Sequence, residues 1–442
     1  MNTVVRGLFL FLGLALLPAS PGAQEWVQLK TSGPTPPHRS RATAIYDPQG
    51  HRLVVFGGTS PLGNLNDIWG LDLRTHQWSD LTPLTDGPTP RPRLTPSAVY
   101  DPKGQRMLMW SGQGDEGFFN DLWAFDLKQG TWAELSTTGA VPNRRYGTVS
   151  ALDPASGGMA IFAGFTDEGR FGDTWRYGVA SGAWTRIFER EGPGLRCLHS
   201  ASFDRQGRRM IIYGGQRSGP LDDIWAFDFA TNIWTELTPE QRPLGRMFTA
   251  QVYDPFHHRV LLVGGNLGGQ VRTNEVWAFD LKSNTWQLLS PQGALPPERD
   301  GAVAVYVESE GRVVMFGGGG SGVTLYNDTW SLEGISPPVS TSVAETGGHL
   351  PMFALGQSYP NPANPATIIT YELASPAPVR LSIVDLLGRE VRRLVEGPRP
   401  AGRHTTAWDG YDQQDRRAGS GVYLYRLETP SGVQTRKLAL VR

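Results

Sequence analysis

Two tryptophans nine positions apart recur along this chain, in phrases such as NDIWGLDLRTHQW (66–78), NDLWAFDLKQGTW (120–132) and NEVWAFDLKSNTW (274–286). The pairs are Trp69 with Trp78, Trp123 with Trp132, Trp175 with Trp184, Trp225 with Trp234 and Trp277 with Trp286; a sixth first tryptophan, Trp330, has no successor. Each first tryptophan follows, by 11 to 13 residues, a small residue and a glycine that close an apolar run. Those pairs begin at Gly57, Ser111, Ala163, Gly214, Gly264 and Gly317, 50 to 54 residues apart. A period near fifty with strand-like content predicts an all-β propeller of four-stranded blades.

Each repeat reads as four strands. In the second repeat they are 97–101, 106–112, 121–127 and 131–135, here called A to D, with Asp-, Pro- and Gly-rich turns from A to B and from C to D. Strand B is an unbroken apolar run, the pattern of a strand buried on both faces. The periodic tryptophans read as scaffold filling the space between blades, because a ligand site should break the period, not follow it. The sixth repeat lacks strand D. Trp26 lies 31 residues before Gly57, and the other second tryptophans lie 30 to 33 residues before their next small-Gly pair. The sequence therefore predicts that 26–29 supply the missing outer strand, giving six blades and a ring closed by the N-terminal segment.

Gly (54) and Pro (34) are abundant, as many turns require. The net charge of −1 carries no basic footprint for nucleic acid. One cysteine, Cys197, excludes an internal disulfide. Arg6 precedes an apolar stretch at 8–17 and then small residues and prolines, which reads as a secretory signal peptide over 1–23, cut near Ala23. That core is too short to span a bilayer, and no transmembrane segment is expected after its removal. An extracellular or cell-surface location follows as an expectation.

Residues 24–333 resemble the kelch-repeat family, whose fold is shared with the propeller of galactose oxidase. Proteins of that family serve as binding modules, scaffolds and occasional enzymes, so the resemblance implies the fold more sharply than the function. In such a meander the B-to-C and D-to-A connections share one face. The B-to-C loops vary between repeats, whereas the A-to-B turns repeat as DPQGH, DPKGQ and DPASG. Variable loops on a uniform scaffold are where binding usually lives. Phe118, Phe119, Phe165, Phe171 and Tyr326 stand in those loops, either tucked onto the blade or offered to a ligand. The same face carries one arginine per repeat: Arg39, Arg93, Arg145, Arg196, Arg246 and Arg299. The family resemblance places such arginines at a channel mouth, where they would take an anionic partner. Each repeat also has an acid two residues before its first tryptophan: Asp67, Asp121, Asp173, Asp223, Glu275 and Asp328. Pairing of six cations with six anions is the reading we favour, since six unpaired arginines around one axis would repel.

No catalytic constellation emerges. A copper site like that of galactose oxidase would need tyrosines, histidines and a cysteine–tyrosine link; here Cys197 and His199 form only a Cys-x-His pair. His257 and His258 fall in a turn. The acid pairs Asp115 with Glu116 and Asp167 with Glu168 have the look of solvated turns, and calcium is the one ion they could help hold. No cofactor is otherwise expected.

Residues 334–355 are rich in Pro, Ser, Thr and Gly and read as a linker. Alternation over 379–383 and about seven short strands predict an Ig-like β-sandwich over 356–442. The segments YPNPANPAT (359–367), VDLLGREV (384–391), AGRHTTAWDG (401–410), SGVYLYRL (420–427) and the terminal TRKLALVR resemble the C-terminal sorting domains of type IX secretion cargo. They also resemble the related Ig-like domain of flagellar hook-capping proteins. This resemblance implies outer-membrane secretion machinery as a partner. DGYDQQD (409–415) does not match EF-hand spacing and reads as a turn. Two function classes remain. One is an exported, non-catalytic propeller binding a protein or glycan at its loop face; the other is an exported kelch-type sugar oxidase or mutarotase.

Overall fold

The computed structural model describes residues 24–83, 87–187, 192–335 and most of 353–441; the expected signal peptide and most of the expected linker lie outside the described residues. Strands make up all the regular structure described, and no helix there is long and apolar enough to cross a membrane. The chain divides into two compact units, one ending at Pro338 and the other starting at Val339.

The first unit is a β-propeller with six main sheets, five of them antiparallel and four-stranded and the sixth extended by Gln292–Gly293, which pairs parallel with Glu25–Gln28. In the first sheet Thr43–Asp47, Arg52–Phe56, Ile68–Asp72 and Trp78–Asp80 are hydrogen-bonded in that order, and four further sheets repeat the plan. The sixth holds Val303–Val307, Arg312–Phe316 and Thr329–Glu333, then Glu25–Gln28. Glu25–Gln28 runs antiparallel to its neighbour, with Glu25 opposite Glu333 and Gln28 opposite Trp330. The inner strand of each sheet adjoins that of the next, and Val303–Val307 adjoins Thr43–Asp47.

Every B strand is buried along its length because a neighbouring sheet covers each face. The small-Gly pair ends it for a backbone reason. Both members have positive φ in all six repeats: 56–69° at the first position, which accepts Ser111 and Ala163, and 93–122° at the second, which is always glycine. A Cβ on Gly57 would also stand 2.9 Å from the Arg93 carbonyl oxygen.

The second tryptophan of each repeat packs across a sheet boundary onto the end of the preceding repeat's B strand. Trp132 meets Phe56 at 5.0 Å, Trp184 meets Trp110 at 4.7 Å, Trp234 meets Phe162 at 4.7 Å and Trp286 meets Tyr213 at 5.3 Å between ring centroids. Trp26 joins a cluster with Val263 of the fifth sheet, and Trp78 lies 4.8 Å from Phe316 of the sixth. These rings are the inter-sheet core, each adding area and ring-edge contacts that neighbouring sheets must share.

The second unit, considered by itself, has two antiparallel sheets. One orders Phe353–Leu355, Thr367–Leu373 and Gly402–Trp408; the other orders Glu390–Arg399, Ala377–Val384, Gly421–Thr429 and Gly432–Leu440. Their inward residues, among them Ile369, Tyr371, Ile383, Trp408, Tyr425 and Leu438, form one buried cluster. Alternation over 379–383 thus places Val379, Leu381 and Ile383 inward. In the turn at 409–415, Asp409 and Asp412 accept backbone N–H groups of that same turn.

Candidate binding site

The six arginines are almost wholly buried, with 0–2 % of each exposed. Arg39, Arg93, Arg145, Arg196 and Arg299 each hold the acid of their own repeat by two hydrogen bonds, at 2.6–3.1 Å. Arg246 reaches the longer Glu275 with one bond, at 2.9 Å. Each Nη1 also donates to the carbonyl of the first residue of the small-Gly pair, as Arg145 does to Ala163 at 3.1 Å. The same acid accepts the indole N–H of the first tryptophan, as Asp173 does from Trp175 at 2.7 Å. One carboxylate therefore joins strand C, the end of strand B and the D-to-A segment. Burial pushes the Asp173 carboxyl up, but the hydrogen bond and charge of Arg145 outweigh it and hold the group below the usual carboxylate range; Glu275 is lowered likewise by Trp277 and Arg246.

These guanidinium groups have no donors left facing solvent, so the arginines serve as scaffold here. Three loop aromatics cover them. Phe119 lies over Arg93, Phe171 over Arg145 and Tyr326 over Arg299, at 4.0–4.2 Å from guanidinium carbon to ring centroid. The other two candidates gather elsewhere. Phe118 stacks on Tyr146 with centroids 5.7 Å apart, and Phe165 meets Tyr146 edge-on at 5.7 Å.

The residues two positions after each arginine together line one small cavity on the loop face. These are Arg41, Thr95, Gly147, Leu198, Phe248 and Gly301, all with φ between 47° and 63°. Backbone bonds link them around the axis: Thr95 N–H to Arg41 O, Arg41 N–H to Gly301 O, Gly301 N–H to Phe248 O, Phe248 N–H to Leu198 O and Leu198 N–H to Gly147 O, at 2.7–3.0 Å. Left-handed backbone turns the side chains at this position across the face. Here the buried Cys197, Leu198 and Met247 form a small apolar cluster on which the half-buried Tyr146, Phe165 and Phe248 pack. Arg41 lies over Phe248 at 4.5 Å and Arg170 over Phe165 at 5.5 Å. Among the described residues neither arginine has a carboxylate within ion-pair distance.

The remaining sequence candidates are accounted for locally. Cys197 is buried and burial pushes its thiol up, countered only in part by Arg170. His199 is fully buried with neither ring nitrogen hydrogen-bonded, and burial together with Arg196 depresses its pKa well below the ordinary histidine value, so it is neutral. His257 bonds Asp254 at 2.8 Å and His258 bonds Asp204 at 3.1 Å. Asp115 accepts from Asn64 at 2.8 Å and Glu116 pairs with Arg91. Among the described residues no three His, Cys, Asp or Glu side chains gather as metal ligands.

The half-buried aromatics Tyr146, Phe165 and Phe248, flanked by Arg41 and Arg170 on the loop face, are the candidate binding site. The chain belongs to the kelch-repeat proteins: the KLHDC2/KLHL20/DRC7 Kelch-repeats domain matches residues 20–189, 81–254 and 238–351. The FlgD Ig-like domain matches residues 362–432. Among curated relatives, a putative adagio-like protein 2 of Oryza sativa subsp. japonica is 27% identical over 356 residues, covering 76% of this chain and 47% of that protein. A leucine-zipper-like transcriptional regulator 1 homolog of Drosophila melanogaster is 28% identical over 202 residues, covering 43% and 20%. Host cell factor homolog hcf-1 of Caenorhabditis elegans is 26% identical over 215 residues, covering 43% and 27%. The chain thus spans less than half the length of each.

Proposed function

We propose that the kelch unit is a six-bladed ring, closed by Glu25–Gln28, that binds a protein segment at the loop-face mouth. The ring reading is supported by the pairing of Glu25–Gln28 with Thr329–Glu333, the Trp78 to Phe316 contact and the Arg41 to Gly301 hydrogen bond. The observation that carries the function is the patch of Tyr146, Phe165 and Phe248, flanked by Arg41 and Arg170. Half-buried aromatic rings beside cations that lack a carboxylate suit an apolar side chain followed by an acidic group. An array of peptides and glycans tests this. Acidic peptides with an apolar anchor should bind the full chain, and Phe165→Ala or Arg170→Ala should weaken them about tenfold or more. Selection of glycans instead, or indifference to both substitutions, would refute the peptide reading. The enzymatic alternative ranks second, because the one thiol is buried and raised and His199 is locked neutral.

The reading extends to export. Residues 1–23 act as a signal peptide, and residues 356–442 act as a surface-sorting module for outer-membrane secretion machinery. The motifs at 359–367 and 401–410 and the Ig-like family match support this. Truncation after residue 336 in a host with that machinery should abolish surface delivery while leaving the propeller folded. Normal surface levels of the truncated chain would remove the sorting assignment.

A further inference from the structure

The face of the A-to-B turns carries an opening of its own. Seven positions after each scaffold arginine, at the end of the inner strand, stand Tyr46, Tyr100, Leu152, Phe203, Tyr253 and Tyr306. Tyr46, Tyr100 and Tyr306 are less buried than the residues before them, whereas Leu152 and Tyr253 are buried at the same place. All six wall a cavity of about 580 Å³, rimmed by prolines of the A-to-B turns. That volume falls inside the ~300–1,000 Å³ range of small-molecule sites.

The chemistry of the wall is specific. Five of six positions are aromatic and four carry a hydroxyl. The Tyr46 hydroxyl already bonds His51 Nδ1 at 2.9 Å, which fixes its ring. The Tyr253 hydroxyl is buried beside Asp204, out of reach of the cavity, so this residue contributes wall and not a hydrogen bond. The charges lining the cavity, Arg205 and Glu308, neutralise each other at 2.5 Å. A ligand here meets ring faces and phenol O–H groups but no net charge. In the ring reading proposed above, on which this inference rests, the opening is a well that admits a compact ring.

We propose that this opening is a second binding site, for a neutral saccharide whose pyranose rings pack on the aromatic wall and whose hydroxyls exchange hydrogen bonds with the Tyr100 phenol. Phenols both donate and accept, as sugar hydroxyls do, and ring faces are apolar like the C–H face of a pyranose. The site is independent of the loop-face patch. Calorimetric titration of the full chain with maltose, cellobiose and lactose tests it, with galacturonic acid and a proline-rich peptide as competitors in class. At least one neutral disaccharide should bind saturably. Tyr100→Ala should weaken it about tenfold and Tyr100→Phe, which removes one oxygen and leaves the packing, by several-fold. Phe165→Ala should leave it unchanged, which separates this site from the peptide site. Failure of all three sugars, indifference to both tyrosine substitutions, sensitivity to Phe165→Ala, or preference for the acid or the peptide would each overturn the proposal.

Discussion

Arg145→Ala is expected to destabilise the propeller by about 3–5 kcal/mol, the loss typical when one partner of a buried, hydrogen-bonded ion pair is removed. The reason is local and additive in kind. Asp173, only 14 % exposed, would keep its charge without its guanidinium. The carbonyls of Ala163 and Asn143 would lose their donor, and Phe171 would lose the cation it covers. Asp173→Asn should cost less, because an amide oxygen can still accept the Trp175 N–H, yet it strands the arginine. The double variant Arg145→Met with Asp173→Asn should recover part of the sum, since no unpaired charge remains, giving a coupling of about 1–3 kcal/mol. The pH dependence follows from the lowered carboxyl of Asp173. A group with a depressed folded pKa contributes stability that is fully present above its unfolded value of about 3.9 and is lost as pH falls through the folded value. The difference between the wild-type chain and Asp173→Asn should therefore shrink only in acid below about pH 4. Denaturant melts at pH 7 and pH 3 measure both effects. A loss under about 1 kcal/mol for Arg145→Ala would mean an exposed, dispensable pair and would return the six arginines to the ligand site.

Residue identity follows position in this chain where a repeated contact, or a bend that demands glycine, sets the constraint. The tryptophans and the small-Gly pairs are periodic because each sheet boundary needs the same ring and each B strand ends in the same left-handed bend. The acid before the first tryptophan is periodic because one carboxylate has two fixed donors. The lining of the loop-face cavity obeys a backbone constraint instead. Arg41, Thr95, Leu198 and Phe248 share a positive φ with Gly147 and Gly301 but share no chemistry, so no motif announces them. Aligning the repeats on the arginine and reading one and two positions onward would have brought Tyr146 and Phe248 together. Reading seven positions onward would have brought out the tyrosine ring, which is hidden in strand A because an aromatic there equally suits a β-strand. The loop aromatics divide for a reason absent from the sequence: Phe119 and Phe171 cap buried arginines, whereas Phe118, just after one hairpin turn, and Phe165, just before the next repeat's, both pack on Tyr146.

Deleting residues 24–31 should destabilise the entire kelch unit, not fray one edge. Trp26 is 2 % exposed and meets Trp330 edge-on with centroids 6.5 Å apart. It belongs to a cluster that spans the fifth and sixth sheets, with Val263, Val276, Met315 and Leu332. Removing a buried tryptophan alone costs about 3–5 kcal/mol. The deletion also uncovers the backbone of Thr329–Glu333, a buried strand that would then be an open edge. If the six sheets form one ring, each sheet depends on two neighbours, and weakening one boundary lowers the stability of all. Scanning calorimetry should then show a single propeller transition moved down by on the order of 5–10 °C, with the sandwich transition in place. A peptide of residues 24–31 added in trans should restore part of the shift, by mass action on the vacated edge. An unchanged midpoint, or a broad transition confined to a fraction of the enthalpy, would mean that the sheets melt as an open row and that Glu25–Gln28 closes nothing.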